Sequence, residues 1–203
     1  MTNKFIENFH ADALQSFRNY KRMAERAVEQ VSDEEFFALI EAEANSIAVI
    51  VKHIAGNLWS RWREFLTSDG EKADRQRDTE FELTQDTRES LMQFWEQGWQ
   101  TLFDNVEPLN EDDFARTVTI RGEPHTVVEA ISRQLTHYAY HVGQIVLLAK
   151  HFKSGEWKTL SVPKNRSAEF NKFLAEKQAG GEAKTDRLEA PFEFGSKERK
   201  KAS

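Results

Sequence analysis

Apolar residues return at three- and four-residue steps along four stretches of this chain, with polar positions on the opposite faces. Over residues 4–31, Phe5, Phe9, Ala13, Phe17, Tyr20, Ala24, Ala27 and Val31 keep that step without a Gly or Pro, which predicts a long amphipathic helix. A Ser32-x-x-Glu35 turn of capping-box type follows. A second helix is predicted from Asn45 or Ser46, carrying Ile47, Ile50, Ile54, Leu58, Trp62 and Phe65 on its stripe, and a third from about Thr84 to Val106. The stretch ARTVTIRGEPH alternates β-branched residues around Arg121-Gly122, which predicts a small β-hairpin or extended arm. Pro124 suits the first turn of a fourth helix, whose stripe is Val127, Ile131, Leu135, Tyr138, Val142, Ile145, Leu148 or Ala149, and Phe152. Helices of this length gain most of their stability from packing, so the pattern predicts an all-α fold, a four-helix bundle.

The stretches between these helices differ in kind. Ser68 to Glu82, SDGEKADRQRDTEFE, is so charged that it reads as a solvated connection. A short helix is expected around Ser167 to Lys177, and the mixed charges from Ala179 to Ser203 read as a mobile tail with one apolar island, Pro191 to Phe194. The expected domains are therefore a helical bundle over 1–178 and a tail over 179–203. VEQVSDEEF at Val28–Phe36 also matches VEPLNEDDF at Val106–Phe114 in chemistry at every position except Gln30 against Pro108. Two generic capped turns would give the same match; a true repeat would make the second and fourth helices equivalent.

Composition narrows the function. The formal charge is −6, which disfavours a phosphate backbone as partner, so nucleic acid is not expected. Apolar runs such as IAVIV and IVLLA fall far short of the roughly 20 residues of a membrane span, and the N-terminus lacks a signal-peptide layout, so a cytoplasmic protein away from membranes is expected. There are no cysteines, which excludes disulfides and a cysteine nucleophile, and any thiol chemistry would use a thiol from outside. Neither a G-x-S-x-G elbow nor a phosphate-cradling glycine loop occurs. A di-iron carboxylate bundle needs two Glu-x-x-His pairs, and only Glu7-x-x-His10 is present.

The histidines carry the remaining signal. His137 and His141 are four apart on a predicted helix, which sets two imidazoles side by side. His53, on another predicted helix, would supply a third ligand if the two helices pack, and three imidazoles with one open position describe a catalytic metal site. The competing reading is of core or surface histidines with satisfied hydrogen bonds. His151 lies ten residues past His141, roughly 15 Å along a helix, and His125 precedes His137 by about 18 Å, too far to share one metal. His10 reads as an exposed or bundle-edge side chain. The tryptophans at helical spacing read as core.

With these features in hand, NSIAVIVKHIAGNLWSRWREFLTSDGEK, the RDTEFE that follows and HYAYHVGQIV, the chain resembles the DinB/YfiT-like superfamily from about Phe5 to Phe152. The resemblance implies an up-down-down-up bundle, a metal bound by His53, His137 and His141, and frequently a homodimer. Characterised relatives include thiol-dependent S-transferases and a maleylpyruvate isomerase that use a low-molecular-weight thiol. The expected function is accordingly a metal-dependent, thiol S-transferase-like enzyme with an external low-molecular-weight thiol and a small-molecule electrophile. The alternatives are a metal-dependent hydrolase acting on a hydrolysable substrate, or a non-catalytic metal-stabilised dimeric bundle. Imidazole suits zinc, nickel and iron alike, so the cofactor is a divalent transition metal of unassigned identity.

Overall fold

A computed structural model of the chain describes residues 4–162 and 164–180. From residue 181 on, the expected tail with its island at Pro191–Phe194 lies outside the described residues. The described chain is mostly helical: α1 (Lys4–Val28), α2 (Asp33–Phe37), α3 (Ile47–Trp62), α4 (Arg88–Val106), α5 (Glu111–Phe114), α6 (Val127–Lys153) and α7 (Ser167–Ala179). Two strands, β1 (Thr117–Ile120) and β2 (Glu123–Thr126), pair antiparallel just before α6. No described helix is long and apolar enough to cross a membrane. The chain divides into two units, Met1–Phe152 and Lys153–Ser203. In the second, Phe170 of α7 is buried and its ring centroid lies 6.4 Å from that of Phe173.

The first unit holds the chemistry. Its four long helices share one buried aromatic cluster. Phe17 of α1 meets Trp62 of α3 edge-on at 5.9 Å and lies equally far from Tyr138 of α6, while Tyr138 meets Trp99 of α4 at 5.5 Å. All four side chains are fully buried, and Tyr138 resolves its polar end by donating to Asn57 Oδ1 and accepting from Trp62 Nε1, each at 3.0 Å. Helices α3 and α4 approach closely at Gly98, where a Cβ would stand 2.9 Å from Leu58 Cβ and 3.1 Å from Ala55 O.

Local signals explain most boundaries. Ser46 caps α3 through Val49 N, and Thr87 caps α4 through Ser90 N, so α4 begins four residues later than the Thr84 expected from periodicity. The first helix ends at Val28 rather than Val31, because Ser32 closes a capping box with Glu35 and opens α2. Its counterpart behaves alike: α4 ends at Val106, and Asn110 closes a capping box with Asp113 to open α5. Phe36 and Phe114 are both buried. Arg88 donates to the Val28 carbonyl and lies over Phe36, as His10 bonds the Val106 carbonyl and meets Phe114 edge-on. The two matching segments are thus built alike.

The hairpin turn uses two left-handed residues, Arg121 at φ 55° and Gly122 at φ 78°, as a two-residue turn between twisted strands requires. Pro124 corrects the reading of the fourth helix: it lies in β2 opposite Thr119, and His125 pairs with Val118. Helix α6 starts after Thr126, whose Oγ1 accepts from Glu129 N while its own N–H donates to Glu129 Oε2. A proline tolerated at a strand edge and a proline opening a helix look the same in sequence.

Candidate metal centre

Helix α3 carries His53 into the interior, where it is 5% exposed, and α6 brings His137 and His141, both half-buried, against it. One nitrogen from each of the three imidazoles falls within 4.8 Å of the others, a group that could hold a metal ion. The three residues expected to act together are therefore together. The remaining histidines lie elsewhere: His125 in β2, His151 exposed in the last turn of α6, and His10 half-buried on the Val106 carbonyl.

Each ring is oriented by an acceptor on its other side. His53 Nδ1 donates to Glu80 Oε2 at 2.8 Å, His137 Nδ1 to Gln134 Oε1 at 3.3 Å, and His141 Nδ1 to Gln144 Oε1 at 2.8 Å. With Nδ1 protonated in all three, each Nε2 keeps its lone pair. His53 Nε2 and His137 Nε2 stand 3.3 Å apart, a contact of two lone pairs that is unfavourable unless a cation lies between them. Two nitrogens about 2.0–2.1 Å from a tetrahedral metal are separated by about this distance, so the His53–His137 pair fits such an ion, and His141, with a nitrogen within 4.8 Å of both, would close on it as third ligand. Anchoring acceptors of this kind are the usual companions of ligating imidazoles.

The electrostatics favour neutral rings at His137 and His141. Burial, followed by the neighbouring His141 and His53, pushes His137 down to about 3, and burial also lowers His141. Neither ring competes for a proton at neutral pH. Glu80 is buried, which would raise its carboxyl, yet the bonds from His53 and Arg75 outweigh burial and hold it below the ordinary range. Arg75 grips that carboxylate twice, Nε to Oε1 at 2.7 Å and Nη2 to Oε2 at 2.9 Å, and holds Glu71 through Nη1 at 2.9 Å. Gly56 makes room for it, because a Cβ there would stand 2.8 Å from Glu80 Cδ and clash with Oε1.

These partners correct the reading of Ser68–Glu82 as a solvated connection. Glu80, Lys72 and the Arg75 side chain are buried, and Asp69 ties the segment to the hairpin by accepting from the backbone N–H groups of Arg121 and Gly122 at 2.8 Å each. Sequence reasoning missed Glu80, Arg75, Gln134 and Gln144. The one available signal was Glu80-Phe81, an aromatic residue within a charged run. A cavity of about 280 Å³ is walled by Glu80, Gly56, Trp59, Phe94 and Arg75, and none of the three histidines lines it.

Fold and site together define a predominantly helical protein with a converging, hydrogen-bond-anchored three-histidine cluster. The chain belongs to the DUF1572 family, described as a protein of unknown function, whose model matches residues 4–166. Neither a curated protein nor a solved structure matches the chain.

Proposed function

We propose that this protein is a metal-dependent enzyme of the thiol S-transferase type, built as an up-down-down-up four-helix bundle like the DinB/YfiT-like proteins it resembles. The reading rests on one observation above all: one nitrogen of each of His53, His137 and His141 lies within 4.8 Å of the others, while every Nδ1 has a side-chain acceptor. His53, His137 and His141 would hold one divalent transition metal ion, zinc, nickel or iron. Bound by three neutral imidazoles, such an ion keeps its full charge and lowers the proton affinity of a thiol or water at its open position.

The chain's own residues have supporting parts. Glu80 and the two glutamines hold the rings in the ligating tautomer, and Arg75 holds Glu80. Tyr138 is buried with its hydroxyl committed, and burial raises its pKa, so it serves packing rather than proton transfer. Because the chain has no cysteine, the thiol is a low-molecular-weight molecule from outside and the second substrate is a small electrophile.

Elemental analysis of natively purified protein, followed by a screen of small thiols against electrophiles, tests this reading. One metal per chain and turnover that needs both metal and thiol is the expected result. Equal turnover without thiol would replace transfer by hydrolysis. Metal binding with no turnover across thiols and electrophiles would leave a non-catalytic, metal-stabilised bundle.

A further inference from the structure

Two partly exposed aromatic residues border the histidine cluster. Phe81 follows Glu80 directly, is 36% exposed, and lies with its ring centroid 5.0 Å from His53 at a 33° tilt. Tyr140 precedes His141, is 62% exposed, and meets that ring edge-on at 4.8 Å. The His53 and His141 rings are themselves 4.9 Å apart, so Phe81, His53, His141 and Tyr140 form a continuous row of rings. Arg77 covers Phe81 at 5.1 Å, which leaves Phe81 to offer its edge. Tyr140 makes no hydrogen bond among the described residues, and most of its ring faces solvent.

We infer that Phe81 and Tyr140 form an aromatic clamp at the mouth of the metal centre, selecting ligands that carry a flat aromatic or conjugated group next to the atom that reaches the metal. The inference rests on the metal reading above. Aromatic rings prefer edge-to-face and offset arrangements, which a flat ligand beside either ring can adopt. Phe81 borders the His53 ring and Tyr140 the His141 ring, so a flat ligand that reaches the position left by the three imidazoles would find aromatic surface beside it, and a saturated or charged ligand would leave that apolar surface in water. The clamp therefore assigns the electrophile to the aromatic or conjugated class.

Binding of two metal-directed probes separates the clamp from the metal. Full-length protein loaded with cobalt(II) is titrated with benzohydroxamate and with acetohydroxamate, read by the visible absorption of the cobalt. The expected result is a preference of about tenfold or more for benzohydroxamate. It should fall to within about threefold in Tyr140→Ala and in Phe81→Ala, while bound metal and acetohydroxamate affinity hold. Tyr140→Phe should keep the preference, because the ring and not the hydroxyl makes the contact. Tyr140 sits on an exposed helix face, so its variants test the clamp even if Phe81→Ala folds poorly. Equal affinity for the two probes in the parent protein, or a preference that survives Tyr140→Ala, would overturn the clamp and leave the metal centre standing. Failure to bind metal at all would overturn both.

Discussion

At the scale of single residues, Glu80 decides how firmly His53 presents its lone pair. Replacing it with Gln keeps an acceptor for His53 Nδ1 but removes the charge that Arg75 compensates, and metal affinity should weaken by about 10- to 100-fold in a chelator competition titration. Gly56→Ala should act in the same direction, since its Cβ would drive the carboxylate away. His137→Ala or His141→Ala should remove most bound metal, whereas His151→Ala should leave it; full retention in both ligand variants would sink the site. The depressed histidines also set a pH dependence for the metal-free protein. His137 takes its proton near 3 when folded and near 6.5 when unfolded, so between those values the unfolded chain binds more protons. That contribution to stability is full above about pH 6.5 and is lost as pH falls toward about 3. Thermal midpoints measured from pH 7 to 4 should fall less steeply in His137→Ala. His137 and His141 were legible because helical spacing alone makes them neighbours. Glu80 was not, because its burial depends on Arg75, Gly56 and His53 meeting in space, while its neighbours in the chain read as solvated.

At the scale of elements, the segment after α3 and the hairpin act as one support. Asp69 accepts from Arg121 N, Gly122 N and Glu71 N, and Gly70 N donates to the Thr119 carbonyl at 2.8 Å. The three bonds outweigh the opposing effect of burial, so its carboxyl sits below its ordinary value. Asp69→Ala should cost about 1.5–3 kcal/mol, because it removes charge-assisted bonds to backbone groups, and the urea midpoint measures it. Metal affinity should fall less than in Glu80→Gln, because Glu80 keeps Arg75. Helices α3 and α6 and the hairpin were legible from periodicity and from the Arg121-Gly122 turn. The start of α6 was not, since Pro124 competes with Thr126 as an opening signal and only strand pairing with Thr119 decides between them. The charged segment hid its role for a related reason: opposite charges that pair in a fold look, in sequence, like charges facing water.

At the scale of the whole first unit, the shared build of Val28–Phe36 and Val106–Phe114 makes α3 and α6 follow equivalent joints, and these are the two helices whose histidines face each other. A metal ion on that cluster would tie residues 84 and 88 positions apart in sequence, a link the unfolded chain lacks. Such an ion binds the folded state alone, so it stabilises by RT ln(1 + [L]/Kd), about 2.7 kcal/mol at a hundredfold excess over Kd. For a domain of this size each kcal/mol moves the midpoint by about 2–4 °C, which predicts a rise of about 5–11 °C on adding metal to stripped protein. The rise should grow with the logarithm of free metal concentration, which separates binding to the native state from a nonspecific salt effect. In His141→Ala one ligand on α6 is gone and the rise should shrink to about 2 °C or less, while the midpoint of the metal-free variant stays near that of the metal-free parent, because His141 is half-buried and, among the described residues, hydrogen-bonds only to Gln144. An equal metal-dependent rise in parent and variant, followed by differential scanning calorimetry, would show that the ion binds elsewhere.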